Sequence, residues 1–339
     1  MAVKNRNEAE RMASSSGGTF IALAKEIISQ SGVVFGAVFD ENWEVKHTYA
    51  ETLEGIKHMM GSKYLQSRIE NNYQETEKFL KEGRKVLFTG TPCQIAGLHK
   101  FLRKEYPNLL SVDILCHGVP SPGVWRKYLA EISHKVIRSE NCKNLKTSCT
   151  YQPIINDIEF RNKELKGWNQ YSFVIKGKSS ITDDNNTILY SETHNMNTYM
   201  KGFLADIYLR PCCYNCKCKN GVSHSDLTIA DFWGVGRLMV DFDDDKGTGL
   251  VLINTKKGKK FFDYLNMESR SSNLADVKIM NKGFNEHILE HPKRNVFFEC
   301  LGRGDNMKDT VEKILYIPIY KIFWTKIKNK IKRIVSINR

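Results

Sequence analysis

The stretch from Lys85 to Cys116 constrains the fold more than any other part of the chain. "KVLFTG" (85–90) is a short apolar run of strand character. "TPCQIAGLHKFLRKEY" (91–106) reads as a helix, with Thr91 as N-cap and Pro92 at the first helical position, where a missing N–H costs nothing. "LLSVDILC" (109–116) is a second strand. Two strands joined through a helix lie parallel, with a right-handed crossover.

The flanking segments extend this unit. "SSSGGTFIALAKEIISQSG" reads as a small-residue turn opening a helix, with Phe20, Ile21, Leu23, Ala24, Ile27 and Ile28 on one broad face. "GVVFGAVFD" and "WEVKHTYA" read as strands around Glu41-Asn42. "ETLEGIKHMMGSKY" is expected as a helix ending at Gly61, and "NYQETEKFLKEGR" as one closed by Gly83. A further helix starts at Ser121-Pro122. From about Glu140 the texture changes to strands of an antiparallel segment, and "DLTIADFWG" and "GLVLINTKKGKKFFDYL" then add a strand and a βα pair. The expected fold class is mixed α/β: a parallel-containing sheet flanked by helices, with an antiparallel subsection. The expected division is a main unit over 1–305, with a soft sub-boundary near 140, and a basic helical tail over 306–339.

Composition excludes several classes. With 41% hydrophobic and 26% charged residues in 339, the chain is globular rather than disordered. The N-terminal stretch has no apolar core of signal-peptide length, and no run approaches the roughly 18 apolar residues of a membrane span. The expected location is the cytoplasm. The net charge of +13 is partly local, since Lys321–Arg339 carries seven basic residues and no acid. No basic stripe with interleaved aromatics is present, so nucleic acid is not an expected partner. As a helix the tail places Phe323, Ile327, Ile331 and Ile334 on one face against lysines. That pattern suits peripheral contact with an anionic membrane, an acidic partner, or packing on the body or a second subunit.

The nine cysteines carry the chemistry. In a reducing compartment clustered thiols serve metal or redox roles more often than disulfides. Cys93 and Cys116 each follow a parallel strand, where α/β sheets place their sites, and Cys93 lies in the first turn of a helix, which favours a thiolate. Taken singly, each also fits a buried small hydrophobe. In "LRPCCYNCKCK" the pair Cys213-x-x-Cys216 has a chelating bite. A chelating loop supplies two ligands, and Cys93 and Cys116 are the natural others. Four such thiolates suit a [4Fe–4S] cluster or a structural zinc. Cys212 and Cys218 are spare: an extended loop points Cys212 away from Cys213, while Cys218 can replace any of the four. Cys142, Cys149 and Cys300 read as ordinary thiols.

Other candidates are less specific. The small residues Ser14 to Gly18 before a helix let a backbone approach a phosphate, or simply form a flexible start. Lys63 in "GSKY" stands near a turn and equally reads as a surface lysine. His117 is placed to hydrogen-bond a cofactor, orient a thiolate or shuttle a proton, and equally to serve as a structural strand-end histidine. Asp231 binds a cofactor or caps a turn, and "FDDDKGTG" reads as a solvated loop.

Together "SSSGGTF", "GSKYLQS", "VLFTGTPCQIAGL", "DILCHGVPSPGVWRKYL", "IEFRNKELKGW", "LRPCCYNCKCK" and "SDLTIADFWG" resemble the coenzyme F420 hydrogenase/dehydrogenase beta-subunit family, in order from Ser14 to beyond Asn254. The resemblance implies an oxidoreductase binding FAD and a [4Fe–4S] cluster, with coenzyme F420 a substrate in archaeal members. It implies Cys93, Cys116, Cys213 and Cys216 as cluster ligands, and Ser15, Ser16, Gly17, Gly18, Ser62, Lys63 and Thr91 at the flavin. His117 is the expected acid–base residue. Many members begin with a ferredoxin-like domain that is not read here. Ferredoxin or another electron-transfer protein is therefore the expected partner, and the chain is expected to act as an oligomer or as part of a complex. Bacterial relatives also occur beside surface-polysaccharide genes in species without the deazaflavin. The alternative is a non-catalytic zinc-bound structural or interaction protein using the same cysteines.

Overall fold

The computed structural model describes residues 1–141, 154–178 and 186–316. Its strands are β1 (Ala2–Asn5), β2 (Val33–Phe39), β3 (Val45–Ala50), β4 (Ser67–Arg68), β5 (Val86–Gly90), β6 (Leu109–Ile114), β7 (Ile154–Asn162), β8 (Ser172–Lys178), β9 (Thr187–Thr193), β10 (Leu227–Asp231), β11 (Gly249–Ile253) and β12 (Met267–Arg270). Nine form one sheet in the order β12-β1-β11-β10-β6-β5-β2-β3-β4. The four central strands β10, β6, β5 and β2 are mutually parallel, and the outer pairings are antiparallel except β3–β4. The strands β7-β8-β9 make a separate antiparallel sheet. The mixed α/β class, the β5–helix–β6 crossover and the antiparallel subsection are all as the sequence predicts.

Alternation decides which helix covers which face. Val34, Leu87 and Leu110 point to the side covered by Ile21, Leu23, Ala24 and Ile27 of the helix Thr19–Ser29. Their neighbours Val33, Phe35, Val86, Phe88 and Leu109 point to the other side, against the helices Asn72–Lys81 and Pro92–Leu102. With both faces covered, β5 is buried at every residue, which explains the unbroken apolar runs. A third, aromatic core joins β7 and β8 to the rest. Trp125 lies 5.2 Å from the Phe160 ring and 5.1 Å from Tyr199, and its indole N–H donates to Trp43 O at 2.6 Å. Met307, Val311 and Ile314 of the helix Met307–Leu315 are buried in the same core.

Two local expectations change. The segment after Thr52 is helical only over Leu53–Lys57. Tighter turns follow, with Met59 N donating to Ile56 O and Met60 N to Lys57 O, and Lys63 Nζ donates to Met60 O at 2.8 Å. The residues before "SSSGG" are structured: β1 pairs with both β11 and β12, and a helix follows at Glu8–Ala13. The Lys321–Arg339 tail face, Cys142 and Cys149 lie outside the described residues. Among those described, no helix is long and apolar enough to cross a membrane.

His47 on β3 is buried, with Nδ1 2.6 Å from Ser67 Oγ and Nε2 3.0 Å from Thr89 O. A carbonyl only accepts, so Nε2 carries the proton and Nδ1 accepts from Ser67. Burial pulls the pKa from 6.5 to about 4, so the folded state holds this ring neutral. Its contribution is complete above the unfolded pKa and is lost as pH falls from about 6.5 toward 4. Urea titrations should show that loss between pH 7 and pH 4, with a shallower slope in His47→Gln; an unchanged slope would remove His47 as its source. Glycines give a second test. A Cβ on Gly17 would stand 2.4 Å from both Gly249 N and Val3 O, whereas Gly83, at φ +80°, faces open space. Gly17→Ala should cost about 2 kcal/mol or more through overpacking, and Gly83→Ala only about 1 kcal/mol through backbone strain. Equal unfolding midpoints would contradict this order.

Candidate functional site

Parallel strands end on one side, so the exits of β2, β5, β6 and β10 share an edge. Register extends that edge to β11, because Asp231 at the end of β10 pairs with Gly249 at the start of β11. Cys93 follows β5, Cys116 follows β6, and Gly17 abuts Gly249. Adjacent strands lie about 4.8 Å apart, so the serine–glycine loop lies on the order of 10 Å from the β6 exit.

Cys213 reaches this edge from far along the chain by a backbone zipper. Ser121 N donates to Tyr208 O at 3.2 Å, Arg210 N donates to Val119 O at 2.9 Å, and Pro120 and Leu209 form a β-bridge. The chain then turns tightly through Pro211–Cys213, and the Val119 N–H donates to Cys213 Sγ at 3.5 Å. Gly118 makes the approach feasible: a Cβ there would stand 2.9 Å from Leu209 Cδ1 and 3.5 Å from Cys213 Cβ. The Cys116-His117-Gly118 triplet therefore has a packing reason. Lys219 completes the clamp, its Nζ donating to Cys116 O at 2.6 Å and Gly283 O at 2.8 Å.

The thiols sense one another. Burial is the main cause that pushes the Cys116 thiol up to about 12, with Lys219 opposing and Cys93, Cys213 and Cys216 adding. Burial also pushes Cys213 up to about 11, opposed by the Val119 N–H and reinforced by Cys212 and Cys93. Cys218 is raised by burial, then by Cys93 and Cys216. The four expected ligands and Cys218 thus share one electrostatic neighbourhood. Among the described residues no three His, Cys, Asp or Glu side chains stand close enough to hold a single metal ion. Pro92, Asp113, Cys116, Cys218 and Lys219 line a cavity of about 20 Å³ beside the thiols, room for one water. Cys212 is exposed on the tight turn Pro211–Cys213, so the loop is not extended there. Cys300 is buried away from this group, beside Arg303.

Thr91 Oγ1 lies 3.1 Å from Cys93 Sγ, and Thr91 N donates to Gln94 Oε1 at 2.9 Å, which fixes the helix start under Cys93. His117 Nε2 pairs with Asp206 Oδ1 at 2.6 Å, and its ring meets the edge of Phe203. It stands at the same strand exit as Cys116, anchored by a carboxylate.

Of the expected flavin residues, those at Ser15–Gly18 and Ser62–Lys63 form one connected loop pair, whereas Thr91 stands apart at the β5 exit beside Cys93. Ser62 donates to Ser15 Oγ through its N–H at 2.7 Å and its hydroxyl at 2.9 Å. Ser16 Oγ donates to Thr248 O at 2.9 Å, and Gly18 takes φ +81° at the start of the helix Thr19–Ser29. Lys63 is half-buried, and burial pulls its ammonium down to about 8.

Sequence reasoning missed several cations around this loop. Lys163 Nζ donates to Arg11 O at 2.7 Å, Ser16 O at 3.0 Å and Lys246 O at 2.7 Å. Burial first, then Arg11 and Arg161, pull it down to about 7, while the three carbonyls match the three protons of an ammonium. Buried Arg11 binds Asp244 with both terminal nitrogens, at 2.8 and 2.5 Å. Burial pushes Asp244 up, but the Arg11 bonds outweigh it and hold the carboxyl well below its usual range. "FDDDKGTG" is therefore a tether rather than a solvated loop. Asp231 pairs with the buried Arg161 instead of capping a turn by itself.

The family described as the C terminus of the coenzyme F420 hydrogenase/dehydrogenase beta subunit matches residues 83–277. No functionally curated protein shows a significant match. The fold is similar to a chain of the F420-reducing [NiFe] hydrogenase complex from Methanosarcina barkeri, with a TM-score of 0.51 and 17% identity, covering 90% of this chain and 93% of that one. Matched over more than half its length, the chain belongs to the coenzyme F420 hydrogenase/dehydrogenase beta-subunit family.

Proposed function

We propose that the chain is an oxidoreductase subunit that holds FAD at the Ser15–Gly18 and Ser62–Lys63 loops and a [4Fe–4S] cluster on Cys93, Cys116, Cys213 and Cys216. It would exchange electrons between a hydride donor or acceptor and a one-electron carrier such as ferredoxin. The observation that carries this reading is the meeting of two strand-exit thiols and a chelating loop at one sheet edge, beside a loop rich in buried donors. Both groups fit the residues present. The thiols are soft donors suited to iron–sulfur ligation. The buried Thr248 Oγ1, Trp168 Nε1 and two Arg161 nitrogens have no partner among the described residues.

When bound, a flavin supplies two-electron chemistry and a cluster one-electron chemistry. The chain's own residues bind, orient and exclude water. Lys219 places a fixed positive charge at the Cys116 carbonyl, Thr91 steadies Cys93, and the His117–Asp206 pair holds a proton beside the cysteines. Lysines and backbone donors around the serine–glycine loop suit an anionic cofactor.

Anaerobic reconstitution tests the assignment. The wild type should turn brown, with a broad shoulder near roughly 400 nm, and bind FAD. A colourless protein with one tightly held zinc would favour the structural alternative and sink this one. Cys93→Ser should lose iron and sulfide as completely as Cys213→Ser, while Cys300→Ser keeps both; normal iron in Cys93→Ser would remove it from the ligand set. Alkylation gives an independent check. In the metal-free protein at pH 8, exposed Cys93 and Cys212 should label first, and Cys116, with its raised pKa, should label late. Cluster loading should protect Cys93 and leave Cys212 reactive; equal labelling of Cys93 with and without iron would contradict ligation.

A further inference from the structure

Arg161 is the one buried cation near the loop whose donors are half unused. Its side chain is 1% exposed. Nη1 pairs with Asp231 and lies 3.4 Å from Tyr64 Oη, while Nε and Nη2 have no hydrogen-bond partner among the described residues. The planar group is stacked, 4.4 Å from the Tyr171 ring and 5.1 Å from Trp233, and Trp233 stacks in turn on Trp168 at 5.2 Å and 7°. Aromatic faces satisfy the π face of a guanidinium but not its in-plane N–H groups. Nε–H and Nη2–H point the same way, forming the side-on fork that matches a two-acceptor edge. Leaving such donors buried and unmatched costs roughly 1–3 kcal/mol each, which argues for an occupant. Asp231 ends β10 opposite Gly249, so the fork belongs to the same sheet edge as the serine–glycine loop.

We infer that Arg161 grips the N1–C2 carbonyl edge of the flavin ring through this fork and sets its reduction potential. The inference rests on the flavin reading above. Hydride arriving at flavin N5 from a reduced deazaflavin or nicotinamide leaves the donor oxidised and one net negative charge on the flavin. That charge lies along the N1–C2 carbonyl edge, where a guanidinium stabilises the reduced form more than the oxidised one. Asp231 partly cancels the guanidinium charge, so the two residues act with opposite signs.

The test is the two-electron midpoint of bound FAD, measured anaerobically against a reference dye in the full chain. Arg161→Gln should shift the reduction equilibrium at least tenfold toward oxidised flavin, about 30 mV for a two-electron couple. Asp231→Asn should move it the opposite way, and Arg161→Lys, which keeps the charge but loses the fork, should lie between Arg161→Gln and wild type. If Arg161→Gln does not fold, Asp231→Asn decides: an unchanged midpoint overturns the inference. A folded, FAD-loaded Arg161→Gln with the wild-type midpoint overturns it as well and leaves the flavin reading intact. Failure of the wild type to take up FAD overturns both.

Discussion

The parallel pairing of β2, β5, β6 and β10 is the constraint on which the site depends. Parallel strands deliver all their carboxyl ends to one side, and each crossover helix starts there. Residues far apart in the chain therefore meet without any long-range attraction of their own. Cys93 and Cys116 are brought to neighbouring exits by the β5–β6 register, in which Gly90 faces Asp113. Apolar burial on both faces secures that register, since a one-residue slip of β5 would exchange Leu87 with Val86 and Phe88 between two different helical covers.

What the sheet does not supply, the Val119–Arg210 zipper does. The cysteine loop is a satellite, held to the β6 exit by backbone hydrogen bonds, by the Lys219 clamp and by the absence of a side chain at Gly118. Such a loop depends on few contacts, so its shape answers to what it holds. On the proposed reading metal binding and loop order would be one event, because ligation would have to displace protons that burial keeps on Cys116 and Cys213.

The central crossover was legible because its signals were local: an apolar run, a Thr-Pro helix start and a second apolar run. The pairing of Cys93 with Cys116 followed from strand ends, and the chelating bite of Cys213 and Cys216 from spacing. The remainder was not legible, for physical reasons. β1 spans four residues, too few to show a period, and its pairing to β11 and β12 crosses most of the chain. Lys163 and Arg161 lie on or beside a strand of the second sheet whose charged residues look solvated until the edge of the nine-stranded sheet meets them. The partner of His117 is Asp206, held at φ +60°, and no motif links the two. The helix expected up to Gly61 is cut short at Lys57, where the chain tightens into turns in which Met59 N donates to Ile56 O and Met60 N to Lys57 O, a change that periodicity does not register.

Charge along the edge is unevenly arranged. Around the serine–glycine loop Lys4, Arg11, Arg161 and Lys163 are buried, against the two carboxylates Asp231 and Asp244. Burying cations in excess is costly unless something compensates. Backbone carbonyls do so for Lys163, and Asp244 does so for Arg11 and Lys4, at 2.5 and 3.2 Å. Asp231 does so for Arg161, so what is left over at the Arg161 fork is a pair of N–H donors unmatched among the described residues. At the sulfur end the balance is reversed: thiolates would add negative charge in a buried place, with Lys219 the cation the structure sets beside them. On the proposed reading one end of the edge would receive an anionic group and the other the cations of a metal cluster. The two demands lie about two strand spacings apart, on the order of 10 Å, and a reduced flavin beside an iron–sulfur cluster would meet both.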